Sequence, residues 1–110
     1  MKAGSLDRRI TILRASVSRN SFNEELPTWN PMATVAAGAV PVSDGERQRA
    51  GETLATSKYR FTVRHSAMVA TVDPRDRIKF GDRLFDVNGV KEIGRREGYE
   101  ITATARAEHP

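Results

Sequence analysis

Near the middle of the chain Tyr59, Phe61 and Val63 alternate with Arg60, Thr62 and Arg64, and this period of two predicts a half-buried β-strand over Lys58–His65. Successive side chains in a strand point to opposite faces, so three bulky apolar groups enter a core while the arginines stand outside. Other segments repeat the pattern. Ile10 and Ile12 alternate with Arg9, Thr11 and Leu13, which predicts a first strand over Arg8–Ala15. From Ser16 to Thr28 the residues turn polar around a lone Phe22, and Pro27 bars a central strand position, so a long loop or a hairpin with an irregular tip is expected. A second strand is predicted over Ala33–Val40. Later in the chain, Asp73-Pro74-Arg75-Asp76 reads as a turn, Ile78–Phe80 as a short strand, and Phe80-Gly81-Asp82-Arg83 as a tight turn. Leu84–Val87 starts a return strand. Asn88-Gly89 then supplies the strongest short hairpin signal, with Val90–Ile93 as the strand beyond it. Tyr99–Ala107 alternates strictly, with Tyr99, Ile101, Ala103 and Ala105 on one face.

One segment breaks the β pattern. Ser43-Asp44-Gly45-Glu46 has the spacing of a capping box and predicts a helix over Asp44–Ala55. Its apolar stripe is thin, since only Ala50 and Leu54 share a face and Gly45 and Gly51 weaken it. Such a helix packs on a neighbouring subunit or moves. The expected fold is therefore all-β: a small barrel or sandwich of about six short strands, with one short helix inserted before the central strand. A chain of 110 residues is expected to form a single domain, residues 1–110.

Composition narrows the chemistry more than it identifies it. There is no run of eighteen apolar residues and no apolar stretch before Arg8-Arg9, so neither a membrane span nor a signal peptide is expected. No cysteine occurs, which fits synthesis in a reducing cytoplasm. His65 and His109 are the two histidines, too few to predict a metal site, and no cofactor is expected. Nucleophile and phosphate-loop motifs are missing, so an enzyme is not expected. The formal charge is +4, and 14 of the 18 basic residues are arginine, a bias toward forked contacts with carboxylates or phosphates. Acidic residues such as Asp73, Asp76, Glu92 and Glu97 interrupt the basic ones, unlike the single-sign patch of a dedicated DNA binder.

Gly4-Ser5-Leu6-Asp7-Arg8-Arg9-Ile10-Thr11-Ile12, Trp29 after a polar loop, Gly45-Glu46, Tyr59-Arg60-Phe61-Thr62-Val63-Arg64 and Phe85-Asp86-Val87-Asn88-Gly89-Val90 together resemble one family. It is the phage head–tail joining family, the stopper or head-completion proteins of long-tailed phages and gene transfer agents. The resemblance runs in order over nearly the whole chain. It departs in the second strand, where relatives often carry a tryptophan and this chain has Val35-Ala36-Ala37-Gly38.

The resemblance implies a virion protein at the head–tail interface, made in the host cytoplasm. It implies a homo-oligomeric ring beneath the portal or adaptor protein, which closes the double-stranded DNA channel and offers a docking surface to a tail terminator or tail tube protein. Ser43, Glu46, Arg47 and Arg49 in the weakly anchored segment Val42–Thr56, with Arg60, Arg64, Arg95 and Arg96, are the interface or channel candidates. The Ser16–Thr28 loop is the second candidate for a movable segment. The alternative is a monomeric barrel that binds nucleic acid or an acidic protein through Arg60, Arg64, Arg95 and Arg96.

Overall fold

The computed structural model describes residues 6–42 and 58–106. They form a closed antiparallel barrel with strand order β1-β2-β3-β6-β5-β4. The strands are β1 (Arg8–Arg19), β2 (Glu25–Pro41), β3 (Lys58–Arg64), β4 (Arg77–Phe80), β5 (Arg83–Ile93) and β6 (Gly98–Ala105). The helix expected over Asp44–Ala55 lies outside the described residues. Among those residues the helical element is one 3-10 turn, Val69–Thr71.

Alternation builds the core as expected. Phe61 and Val63 of β3 are fully buried, and Ile10, Ile12, Ala37, Ile78, Phe85, Ile101 and Ala103 join them. The rings of Tyr59, Phe61, Phe80 and Phe85 meet mostly edge to face, Phe61 lying 5.4 Å from Phe80 and 5.5 Å from Phe85. Aromatic quadrupoles favour such crossings. In β6 small Ala103 and Ala105 point inward, which leaves room for these rings in a narrow barrel. Ala37 is buried where the second strand lacks a tryptophan.

Two strand expectations need correction. Asn88-Gly89 does not make a hairpin: β5 continues through it, and the register against β6 shifts between Val87 and Gly89, which is a bulge. A two-residue hairpin of this type needs positive φ at both central positions, and neither residue has it. The turn instead falls at 94–97, where Gly94 has φ 61° and Arg96 φ 60°. The second correction concerns the ends of β1 and β2, which run past Ala15 and begin before Ala33. Pro27 and Pro31 sit inside β2, where only β1 lies beside them, so their missing N–H groups interrupt no second ladder.

Since every neighbouring pair is antiparallel, the connections alternate between two ends of the barrel. The β1–β2, β3–β4 and β5–β6 connections share one end. At the other lie the Gly81-Asp82 turn and the backbones of Val42 and Lys58, joined by a 2.8 Å hydrogen bond from Val42 N.

Candidate functional site

The part of the fold that serves no purpose in the barrel is an arm. β1 keeps its β4 partner only over Thr11–Leu13; beyond that, Arg14–Arg19 pairs with Asn30–Glu25 as a two-stranded ribbon. A bulge starts it. The register moves from Ile12 opposite Ala33 to Leu13 opposite Pro31, so Met32 is the extra residue.

The arm inverts the polarity of the barrel it grows from. Ile10 and Ile12 point inward, so continued alternation puts Leu13, Ala15 and Val17 on the outer side, opposite Pro31, Trp29 and Pro27. The inner side carries Arg14, Ser16, Ser18, Thr28 and Asn30, with Leu26 beside the tip as its one large apolar residue, and Asn30 Nδ2 donates to Ser16 Oγ at 3.0 Å. An apolar face thus looks outward. Val17 is 66% exposed, and burying one such side chain contributes about 1.5–3 kcal/mol.

At the tip Phe22 is 81% exposed and is held there by a built turn. Asn20 Oδ1 accepts from the backbone N–H groups of Phe22 (2.8 Å) and Glu24 (3.0 Å), and the Asn20 carbonyl accepts from Asn23 N at 2.9 Å. Asn23 takes φ 64°, a left-handed conformation that asparagine tolerates better than most residues. Arg19 donates to the Asn23 carbonyl and pairs with Glu25 at 3.0 Å. A displayed aromatic whose backbone is already ordered costs little further entropy on docking.

The base of the arm is locked to the barrel at two places. Asp76, only 3% exposed, accepts from Arg14 Nε at 3.1 Å and Arg14 Nη2 at 3.0 Å, and from Asp73 N at 3.1 Å. Arg14 Nη2 also reaches Thr71 Oγ1 (2.9 Å) and the Thr71 carbonyl (3.1 Å). These bonds to Asp76 hold the Arg14 guanidinium above its ordinary pKa. Asp73 in turn is held below the usual carboxylate range by hydrogen bonds from the Arg75 side chain and backbone. On the outer side the Arg77 guanidinium stacks over Trp29 at 4.0 Å from the ring centroid, while its Nε pairs with Asp86 at 3.2 Å. A groove of 390 Å³ at this base is lined by Arg14, Ala15, Thr71, Asp73, Arg75 and Asp76. Its charged groups already bond one another, so it acts as a joint.

The sequence candidates divide. Arg64, Arg95 and Arg96 come together at the arm end, since Arg64 pairs with Gly98 and His65 N donates to the Glu97 carbonyl. Arg60 is exposed on the same outer face of β3, toward the opposite end. Glu92 and Glu97 are interleaved with the first three, and Glu92 accepts from Arg96 N at 3.0 Å. Ser43, Glu46, Arg47 and Arg49 lie outside the described residues. His65 Nδ1 lies 3.0 Å from the Tyr99 hydroxyl, so its partner is a phenol and not a carboxylate. Among the described residues no three of His, Asp and Glu converge as metal ligands. Sequence reasoning placed the Ser16–Thr28 stretch second and did not single out Arg14, Asp76 or the Arg77–Trp29 pair. Trp29 and the lone Phe22 in a polar stretch were the available signals.

The sequence model of the phage head completion protein family matches residues 1–106. The chain belongs to this family. It is thus a structural component of the virion, at the head. Among curated proteins no sequence matches it. The fold is similar to the solution structure of protein SF1141 from Shigella flexneri 2a, at 26% identity and TM-score 0.71, covering 98% of this chain and 99% of that one. It is also similar to a chain in the virion of a native gene transfer agent particle, at 22% identity and TM-score 0.67, covering 94% and 97%. In this head completion protein the arm and its root carry four of the five large apolar side chains exposed among the described residues.

Proposed function

We propose that this head completion protein acts as a connector of the stopper type, a single domain whose copies form a ring below the portal or adaptor, close the DNA channel and receive the tail. The observation that carries the reading is the locked arm. A two-stranded ribbon is marginal by itself, yet this one is pinned at its base and ordered at its tip, with its apolar side and Phe22 turned to solvent. That construction suits a protein whose work is to hold neighbours. At the end opposite the arm Val42 N donates to the Lys58 carbonyl, and Val42–Thr56, which leaves β2 there, is the segment assigned to the channel.

The alternative, a monomeric module gripping nucleic acid or an acidic protein with Arg60, Arg64, Arg95 and Arg96, is disfavoured by Glu92 and Glu97 among those arginines. No catalytic role is assigned. The test supplies Phe22→Ser protein to filled heads lacking the native chain. Phe22 touches no core, so the melting temperature should hold while tailed, infectious or transducing particles fall at least about tenfold. Undiminished yield would remove the arm from assembly and sink the connector reading built on it.

A further inference from the structure

We propose that the arm of one copy docks on the outer wall of the next copy's barrel, over Ala36, Gly38 and Val40 of β2, making a head-to-tail contact. This rests on the ring reading above and names the two surfaces that would form it. Five large apolar side chains are exposed among the described residues: Val17, Phe22, Leu26, Met32 and Val40. The first four belong to the arm or its root. Val40, 59% exposed, stands alone on the wall, and beside it on the same outer face Gly38 and Ala36 present almost no side chain. A flat apolar strip of this kind can accept a ribbon without steric obstruction.

Charge agrees with the same pairing. The strip is bordered by Arg9, which lies opposite Ala36 on β1, and by Arg60, which lies opposite Val40 on β3, with Lys58 beyond. The arm tip carries Glu24 and Glu25 against the single guanidinium of Arg19. An acidic tip therefore meets a basic border. The arm and the strip lie at different places on one chain, so a contact in which each copy gives its arm to the next and receives another arm on its own strip is heterologous, and it closes a ring where the rotation between copies closes. They also cannot meet within one copy, because Val17 faces Pro27, and the run of β2 from there to Val40 spans about 40 Å at 3.3 Å per residue.

Size sets the strength. An arm about 20 Å long and about 10 Å wide offers on the order of 200 Å² of flat face, well below the roughly 800 Å² per partner of a stable dimer. Single contacts are then weak, and the contact persists where a template holds several copies or a ring closes.

The chain has no cysteine, so introduced thiols report cleanly. Val17→Cys and Val40→Cys proteins are concentrated, separately and mixed, and oxidised, and the double variant is treated alike. Sedimentation of the unaltered protein over the same concentrations measures self-association. The expected result is at least about tenfold more linked dimer in the mixture than in either single variant, and a ladder of oligomers from the double variant. Equal linking of Val17→Cys alone would mean an arm-to-arm contact and overturn the proposal. Concentration-dependent oligomers without Val17–Val40 linkage would overturn it while leaving the ring reading in place. A chain that stays monomeric and unlinked throughout, and unlinked also on filled heads, would overturn both.

Discussion

Replacing Arg14 with methionine should free the arm while leaving most of the barrel in place. The side chain keeps its length but loses the fork that gives Asp76 two charge-assisted hydrogen bonds at 3.1 and 3.0 Å, and Thr71 two more. Hydrogen bonds to charged groups contribute about 1.5–3 kcal/mol each in net terms, and breaking a buried pair costs about 3–5 kcal/mol. The Arg14 side chain is 34% exposed, however, so water replaces part of what Asp76 loses, and Asp73 N still donates to it. A cost of about 2–3 kcal/mol follows. Because the lock joins the arm to the β3–β4 connection, this loss should appear first as local opening. Amide exchange in Ser16–Thr28 should rise about 30- to 150-fold, each 1.4 kcal/mol being tenfold. The melting temperature should fall by about 8–24 °C, at roughly 4–8 °C per kcal/mol for small domains. Arg14→Lys should recover only part of the loss, since an ammonium cannot make the forked contact. Native exchange in the arm with a melting temperature within about 2 °C of the parent would show that the ribbon stands without its lock.

Phe61→Ala, which removes a fully buried ring touching Phe80 and Phe85, should cost about 3–5 kcal/mol by urea unfolding, whereas exposed Arg60→Ala should stay within about 0.5 kcal/mol. Equal losses would mean that the two faces of β3 are misassigned. Exchanging Glu46–Thr53 for a short Gly-Ser linker should leave the circular dichroism of the barrel intact, and filled heads that recruit the variant should leak DNA or fail to join tails; unchanged particle yield would take the segment out of the mechanism.

How much of this could be read from the residues differs from element to element. Alternation is a local property: a strand's side chains change face at every step whatever lies beside it, so Tyr59, Phe61 and Val63, and Ile101, Ala103 and Ala105, could be assigned to the core from their order alone. The turns at Asp73–Asp76 and Gly81 were equally legible, since proline and glycine restrict or widen φ in place. Asn88-Gly89 was not, because the same dipeptide serves a hairpin or a bulge, and the choice fell to β6, which offers an unbroken partner on both sides of it. The arm was only partly legible, for a related reason: a hairpin with an irregular tip was one of the two expectations for Ser16–Thr28, and the residues alone did not choose it over a loop. Polar residues in Ser16–Thr28 resemble a loop until β1 and β2 are seen to pair past the edge of β4, where each strand has one neighbour and one solvated side. Its lock joins Arg14 to Asp76, 62 residues apart, and such a pair has no signature in spacing. Residue order set which faces of the strands are buried; barrel closure, which decides what lies beside each strand and where that company ends, made a paired and pinned arm out of a polar stretch with one phenylalanine.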